Sequence, residues 1–182
     1  MDKNFIFMYI ISILFILINN GKVFGKDFYV RNNDTLFKDL NSFFIKNNQN
    51  YDQIVLYFVD NYYNMTELPY SIEISVNSDI YFIGSGNETV FDYDGKKYGR
   101  LIFNIYNLKE YKIKFENIIL RNYYADVRGI QMITLITRTI KYNFEINNCI
   151  FEDNMYTILH FSAYTNHQDN IEPKILINNS RF

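Results

Sequence analysis

Tyrosine is the residue type whose placement in this sequence most directly suggests a chemistry. The chain of 182 residues contains 17 tyrosines and no tryptophan, and the pair Tyr123-Tyr124 falls in a segment that is predicted to be a loop between strands. An exposed aromatic ring can stack on the apolar face of a sugar, and loops on a rigid scaffold often carry binding residues. We therefore predict that Tyr123 and Tyr124 contact carbohydrate. A second interpretation is that AT-rich codon usage supplies tyrosines that pack half-buried in loops.

The two histidines differ in their sequence surroundings. His160 alternates with Leu159 and Phe161 in an apolar segment, so its imidazole is predicted to face outward from a strand. We include His160 among the predicted carbohydrate contacts, with an exposed histidine of no special role as the alternative. His167 has no acidic or nucleophilic partner at the spacing of a catalytic motif.

Charge and cysteine content narrow the function classes. Lys and Arg total 18 against 20 Asp and Glu, a net charge of −2, which provides no basic surface for nucleic acid. The single cysteine, Cys149, allows neither an intramolecular disulfide nor a cysteine-based metal site, and we predict a buried, inert thiol. No pattern indicates a catalytic group, a metal or a cofactor, so we predict none.

A repeated motif indicates the architecture. Asn117, Asn148 and Asn179 follow one another at a fixed interval, and each stands between two short runs of alternating apolar residues. A fixed interval of about 31 residues is typical of stacked structural repeats. Each asparagine is predicted to occupy a left-handed turn, and the three side chains are predicted to form a hydrogen-bonded ladder. A role for them in ligand contact is the alternative.

Each repeat is predicted to contain three short strands. Nothing between them has the length or period of a helix, which leaves a β-solenoid or an antiparallel sandwich. The fixed interval favours the solenoid, because each coil must return to the same angular position. The predicted strands, repeat by repeat, are at residues 101–105, 112–116 and 118–121, then 131–136, 143–147 and 149–152, then 157–161, 174–178 and 180–182. Earlier apolar runs extend the stack toward the N-terminus, at residues 54–58, 72–76, 80–83 and 89–91.

The N-terminal segment, residues 1–25, is predicted to be a signal peptide. Residues 5–18 form an apolar run interrupted only by Ser12, which fits a signal-peptide core and is shorter than a membrane span. Cleavage is predicted before Lys26, and no transmembrane span is expected in the mature chain. An uncleaved signal anchor that holds the protein at a membrane is the alternative.

Residues 26–52 are predicted to cover the first coil. A short strand at residues 28–30 precedes an amphipathic helix, for which Asp34 or Thr35 is the predicted N-cap. Such a helix protects the open end of a stack. The apolar face of the helix consists of Leu36, Leu40, Phe43 and Phe44.

Four Asn-x-Ser/Thr sequons begin at Asn33, Asn64, Asn87 and Asn178. The first three lie in segments predicted to be loops, and Asn178 is predicted to point outward from a strand. These asparagines are acceptors for N-glycosylation if the chain enters a secretory pathway that glycosylates.

The chain resembles the pectin-lyase-like right-handed parallel β-helix superfamily. Asn117, Asn148 and Asn179 with their flanking apolar alternation carry the resemblance, together with the strand and turn at residues 80–86 and the preceding helix. The resemblance covers roughly residues 28–182 and implies an all-β fold, with a parallel β-helix of about three to four coils over residues 53–182. It also implies that His160 lies on a face that often binds sugars in that superfamily.

Members of that superfamily include pectate lyases, polygalacturonases, phage tailspikes and adhesin-like surface proteins. Lyase chemistry would require an acidic Ca²⁺ site and a nearby arginine as base, for which Asp92, Asp94, Asp126 and Arg128 are the nearest candidates. We interpret the aspartates as solvent-exposed charges in loops, Asp92 and Asp94 in a loop at residues 92–97. The motifs that polygalacturonases use are absent from the sequence.

These observations predict a secreted or cell-surface β-helix repeat protein that is not an enzyme. Its expected role is structural, or lies in binding a polysaccharide, a surface glycan or a protein partner. The alternative is a fragment of a divergent polysaccharide lyase or glycoside hydrolase. The last predicted strand ends at Phe182 without a cap, so we expect either a truncated solenoid or an open coil that pairs with another chain.

Overall fold

The computed structural model describes residues 24–86, 89–126, 129–139, 141–164 and 174–182. Most of the predicted signal peptide, the sequon residue Asn87, Arg128 and His167 lie outside these described residues. The described chain consists mostly of parallel β-strands.

The strands form three parallel sheets. The first sheet has six strands, in the order β1 (Lys26–Val30), β2 (Gln53–Phe58), β5 (Asp79–Gly84), β8 (Tyr111–Glu116), β11 (Tyr142–Asn147) and β14 (Lys174–Asn178). The second sheet contains β3 (Tyr62–Asn64), β6 (Thr89–Lys96), β9 (Ile118–Tyr123) and β12 (Ile150–Glu152). The third sheet contains β4 (Ser71–Ser75), β7 (Arg100–Ile105), β10 (Ile133–Thr137) and β13 (Leu159–Ala163).

The chain visits the first, second and third sheets in turn and then returns to the first. We call one such passage a coil, and four complete coils run from β2 to β13. Every strand pair in the described residues is parallel, which is consistent with an all-β parallel solenoid and excludes the antiparallel sandwich. The strands predicted from residue 101 onward are confirmed, the last as an isolated bridge between Arg181 and Ile150.

Two features of the second sheet differ from the predictions. Strand β3 was not predicted, because it is only three residues long and rich in polar atoms. The predicted loop at residues 92–97 is wrong, since β6 continues to Lys96. Between Asp92 and Lys96 the register with β9 shifts, so three residues of β6 lie opposite Asn122 in a β-bulge.

The core lies between the three sheets and is built from side chains that stack from coil to coil. Phe82 and Phe115 lie in register with ring centroids 4.9 Å apart and planes 9° apart, and Phe58 stacks on Phe82 at 5.9 Å. Burying each such ring contributes about 1.5–3 kcal/mol. In the last described strand, Ile175 and Ile177 remain 41% and 46% exposed.

Two helices cover the first coil, where a single helix was predicted. Helix α1 (Thr35–Lys38) ends at Asp39, and α2 (Leu40–Asn47) begins after it. Asp34 occupies the N-cap position of α1, as predicted, but its side chain makes no capping hydrogen bond. The side-chain cap is found at α2, where the Asp39 carboxylate accepts a hydrogen bond from Ser42 N at 3.2 Å. None of the helices in the described ranges is long and apolar enough to span a bilayer.

The helical segment also forms hydrogen bonds with backbone groups at the free edge of the third sheet. Asn41 accepts a hydrogen bond from Glu73 N at 2.9 Å and donates one to Ser71 O at 3.4 Å, both on β4. Asn48 accepts from Asn77 N at 3.3 Å just beyond β4. The two asparagine side chains therefore replace the strand that this edge lacks, as a cap must.

The repeated asparagines lie at the corner between the first and second sheets. Asn117, Asn148 and Asn179 have φ values of 58°, 52° and 47°, the left-handed conformation that asparagine tolerates. Asn148 Nδ2 donates to Asn117 Oδ1 at 3.3 Å. In the next coil the side-chain bond in the described residues joins Asn178 Nδ2 to Asn147 Oδ1, at 3.0 Å, so the ladder moves one position along the chain.

Gly84 lies in register with Asn117 at the same corner. A Cβ atom on Gly84 would overlap the Asn117 carbonyl oxygen and lie 2.8 Å from Thr89 Cβ, which is too close for two carbon atoms. Only glycine allows the two coils to approach this closely.

Cys149 directly follows this corner and is fully buried. Burial raises the pKa of its thiol to about 11. The predicted burial of Cys149 is therefore confirmed.

Candidate functional site: a tyrosine corner between the second and third sheets

The loops that lead from the second sheet to the third each carry one exposed tyrosine. We call these four residues, one from each coil, the tyrosine corner. Because neighbouring strands are about 4.8 Å apart, four coils extend the corner over roughly 14 Å along the stack. The members are Tyr70, Tyr98, Tyr124 and Tyr156, and they are 40%, 45%, 39% and 51% exposed.

The four rings are arranged as two pairs. The Tyr70 and Tyr98 centroids lie 6.2 Å apart at an interplanar angle of 84°, and those of Tyr124 and Tyr156 lie 6.1 Å apart at 64°. Edge-to-face contacts of this kind hold each ring in a defined orientation while leaving part of its surface open to solvent.

Two basic residues contact Tyr70, one ring of the first pair. The Arg100 guanidinium lies 5.3 Å from the centroid of the Tyr70 ring, and Lys97 Nζ lies 6.0 Å from it, within the range of cation–π attraction. Arg100 is largely buried and donates from Nε to Gln131 O at 2.7 Å. Lys97 Nζ donates to Asp126 Oδ1 at 2.6 Å, which holds the pKa of Asp126 below its usual value.

An open cleft of about 590 Å³ lies beside the second pair. Its rim is formed where three chain segments turn through the left-handed region, at Asp94, Asn122 and Asp153, with φ values of 45°, 59° and 53°. Asn122 and Asp153 occupy equivalent positions in neighbouring coils, directly after paired residues of β9 and β12. The cleft is lined by Asp94, Gly95, Asn122, Tyr123, Tyr124, Asp153 and Met155.

Asp92 anchors the bulge that carries Asp94 to this rim. Its Oδ2 accepts from Arg121 Nε at 2.9 Å, and its Oδ1 accepts from Asn122 Nδ2 at 3.0 Å and from Asp94 N at 2.9 Å. Burial disfavours the ionised carboxylate, but these three donors outweigh it and lower the pKa of Asp92. The interpretation of Asp92 as a solvent-exposed loop charge is therefore wrong.

Asn154 fixes the loop on the other side of the cleft. Its Oδ1 accepts from Tyr123 N at 2.8 Å and its Nδ2 donates to Leu120 O at 2.9 Å. Met155 N then donates to Tyr123 O at 2.8 Å. Met155 and Tyr156 belong to this loop, and these bonds attach the loop to the end of β9.

The prediction that Tyr123 contacts carbohydrate is wrong. Its side chain is fully buried, with its ring centroid 5.3 Å from that of Tyr93 in the core. Burial raises the pKa of Tyr123 to about 12. If side chains simply alternated after the buried Leu120, Tyr123 would point outward. The left-handed backbone of Asn122 shifts the alternation by one residue, so the Tyr123 side chain points into the core.

Tyr124 and His160 are both exposed, as predicted, but they lie on different elements. Tyr124 follows β9 at the tyrosine corner, whereas His160 is on the outer face of β13 in the third sheet, in register with Thr134. Within the described residues, no hydrogen bond, ion pair or ring contact joins His160 to the tyrosine corner. The structure thus brings together Tyr124 with Tyr156, not with His160.

The described sequon asparagines have different environments. Asn33 is exposed. Asn64 is partly buried, and its Oδ1 accepts from Thr66 N at 3.0 Å and from Thr66 Oγ1 at 2.7 Å. Asn178 is exposed on β14, and its Nδ2 is engaged with Asn147.

The carboxylates do not form a metal site in the part of the chain that the structure describes. No group of three or more His, Cys, Asp or Glu side chains there is arranged to hold a metal ion. Asp92 does not fit the Ca²⁺ site considered from the sequence, because both of its oxygens already accept hydrogen bonds. Comparison with protein-family models, with curated proteins and with solved structures finds no match to this chain.

Proposed function

We propose that this protein is a secreted or cell-surface β-solenoid that binds an extended glycan along the tyrosine corner and does not catalyse a reaction. The observation that carries the proposal is the presence of one exposed tyrosine at the same loop in four successive coils. A row of aromatic rings on a rigid scaffold suits a chain of sugars, because each ring can stack on one sugar face.

The arrangement of the tyrosines favours this proposal over codon bias alone. Codon bias would scatter tyrosines among the loops without regard to the stack. The loops between the third and first sheets do carry the exposed residues Tyr106 and Tyr164, but Arg138 stands between them in the intervening coil, 5.7 Å from the Tyr106 ring. Only the tyrosine corner continues through four coils in the described residues.

We further propose that the coils wind in a right-handed parallel β-helix related to the pectin-lyase-like superfamily. The left-handed asparagines between the first and second sheets and the helical cap on the first coil support this relationship. The apolar run at residues 5–18 supports entry into a secretory pathway.

The arrangement around Asp92 favours binding over lyase chemistry. A lyase fragment would need a cluster of carboxylates arranged to hold Ca²⁺. Asp92 instead accepts three hydrogen bonds from neighbouring protein groups, and no group of three or more His, Cys, Asp or Glu side chains in the described residues is arranged to hold a metal ion. An assay for unsaturated products from polygalacturonate in the presence of Ca²⁺ tests this directly, and product formation by the wild type would overturn the non-enzymatic assignment.

Affinity gel electrophoresis tests glycan binding. The wild-type protein is run in native gels that contain neutral, cationic or anionic soluble polysaccharides. We expect at least one polysaccharide to retard it, and Tyr98→Ala combined with Tyr124→Ala to abolish the retardation. The matched control is Tyr106→Ala with Tyr164→Ala, which removes from another corner two rings that are more exposed. Absence of retardation in every gel, or equal loss in the control, would contradict the proposal.

A further inference from the structure

The two ends of the tyrosine corner differ in charge. Beside Tyr70 and Tyr98 the cations are engaged within the protein, Arg100 with Gln131 and Lys97 with Asp126. Beside Tyr124 and Tyr156, Asp94 and Asp153 are exposed, and neither carboxylate has a hydrogen-bond or ion-pair partner among the described residues. Within the described part of the tyrosine corner, unpaired carboxylates therefore lie only beside the second pair.

The polar side chains at the rim of this cleft offer mainly acceptors. Asp94 and Asp153 are acceptor-only when ionised. Asn122 lies between them, and its Nδ2 donates a hydrogen bond to Asp92. Its Oδ1 therefore remains available to accept a hydrogen bond from a ligand. A ligand group that fits this rim must therefore donate several hydrogen bonds, and a positive charge on it would be favoured.

The apolar wall of the cleft is compatible with the same kind of ligand. Tyr124 and Met155 line the cleft, and Tyr156 packs edge-to-face on Tyr124. A tyrosine ring attracts a cation to its face and also accepts the apolar face of a sugar. Aromatic walls with carboxylates at the rim combine both interactions in one site.

We propose, on the basis of the glycan-binding function proposed above, that this cleft binds an amino sugar with a free ammonium group. The ammonium group donates up to three hydrogen bonds, to Asp94, Asp153 and Asn122 Oδ1, while its sugar ring stacks on Tyr124. The same rim disfavours uronic acids, because their carboxylates would approach two carboxylates of the protein. An N-acetylated sugar retains the stacking interaction and loses the charge.

Isothermal titration calorimetry at about pH 5.5, where carboxylates are ionised and amines protonated, tests the proposal. The probes are hexamers of glucosamine, N-acetylglucosamine and galacturonate, with spermidine as a cation without sugar. We expect the glucosamine hexamer to bind about tenfold more tightly than the acetylated hexamer, and galacturonate to bind more weakly than both. Spermidine is expected to bind much more weakly than the glucosamine hexamer.

The double variant Asp94→Asn with Asp153→Asn tests whether these two carboxylates cause the preference for glucosamine. It is expected to reduce the preference for glucosamine to within about twofold, because the loss of affinity falls mainly on the glucosamine hexamer. The control, Asp27→Asn with Asp52→Asn, removes two exposed carboxylates outside the corner and is expected to keep the preference.

Several results would overturn this inference. Equal affinity for the two hexamers, or a preference that survives in the Asp94→Asn/Asp153→Asn variant, would overturn it and leave the glycan-binding function intact. Spermidine binding as tight as the glucosamine hexamer would show that the site recognises a cation and not a sugar. If no hexamer binds, the inference is wrong, and the broader function is also wrong only if the polysaccharide gels show no retardation.

Discussion

Arg121 Nε donates to Asp92 Oδ2 at 2.9 Å and thereby joins two adjacent strands of the second sheet. Asp92 is the residue at which the β6 bulge begins, and its other oxygen holds Asn122 and the backbone of Asp94. One carboxylate thus fixes two positions on the rim of the candidate cleft. The positions of Asp94 and Asn122 at the cleft are therefore held by hydrogen bonds to Asp92.

Replacing Asp92 with Ala should destabilise the fold by about 2 kcal/mol, because a hydrogen-bonded charge is lost from a largely buried position. The measurement is the free energy of unfolding in urea. Asp126→Ala is the control, since it removes an exposed carboxylate that is also paired with a cation, Lys97. A control as destabilised as Asp92→Ala would contradict the anchoring role.

The contribution of Asp92 should depend on pH. Its pKa in the folded protein lies below the ordinary value of 3.8, so the charge adds stability above that pH and the contribution is lost as the pH falls through the folded-state pKa. The difference in unfolding free energy between wild type and Asp92→Asn should be largest near neutral pH and shrink below about pH 4. A difference that does not change with pH would show that ionisation of Asp92 is unimportant.

The asparagine corner allows backbone and side-chain effects to be separated. Asn148 has φ 52° and donates from its side chain to Asn117. Asn148→Gly removes the hydrogen bond but keeps the backbone conformation, whereas Asn148→Ala also strains the backbone and should cost about 1 kcal/mol more. Thermal or urea unfolding of both variants measures the difference. Equal stability of the two variants would mean that the left-handed backbone at residue 148 does not restrict which side chain is tolerated there.

The thiol of Cys149 should be unreactive in the folded protein. Only the thiolate is nucleophilic, and burial both raises the pKa of this thiol to about 11 and blocks access to it. Labelling with a disulfide reagent at pH 8 should be slow in buffer and fast in urea. Ser180→Cys in a Cys149→Ser background places the thiol at the equivalent, more exposed position, and should react quickly without urea. Rapid labelling of native wild type would show that Cys149 is accessible.

Much of the fold could be predicted from the sequence because the strands repeat at a fixed interval. Asn117 and Asn148 mark equivalent corners, and the apolar alternation beside them gives the strand positions. The bulge in β6 could not be predicted, because Asp92, Asp94 and Gly95 have the composition of a loop and only the contact with Arg121 shows that they belong to a strand. The break between the two helices has a similar cause, since Asp39 acts as a cap in the middle of a helical pattern.

The tyrosine corner was only partly predictable. Tyr124 was identified from its loop position, but the loops from the second to the third sheet differ in length, so their tyrosines do not recur at a fixed interval. Tyr70, Tyr98 and Tyr156 become neighbours of Tyr124 only once the strands are stacked. The loop prediction for Tyr123 is wrong because β9 continues to this residue, and the left-handed Asn122 before it turns its side chain to the buried face.

The most direct test of the account is to observe the tyrosine rings during glycan binding. Ring resonances of the protein labelled at tyrosine are followed by NMR while the hexamers of glucosamine and N-acetylglucosamine are added separately, with assignments from single Tyr→Phe variants. We predict that the resonances of Tyr70, Tyr98, Tyr124 and Tyr156 shift, while those of Tyr29 and Tyr57, which stack on the outer face of the first sheet, do not. Shifts confined to Tyr29 and Tyr57, or no shifts with either hexamer, would contradict the assignment of the tyrosine corner as the glycan-binding surface.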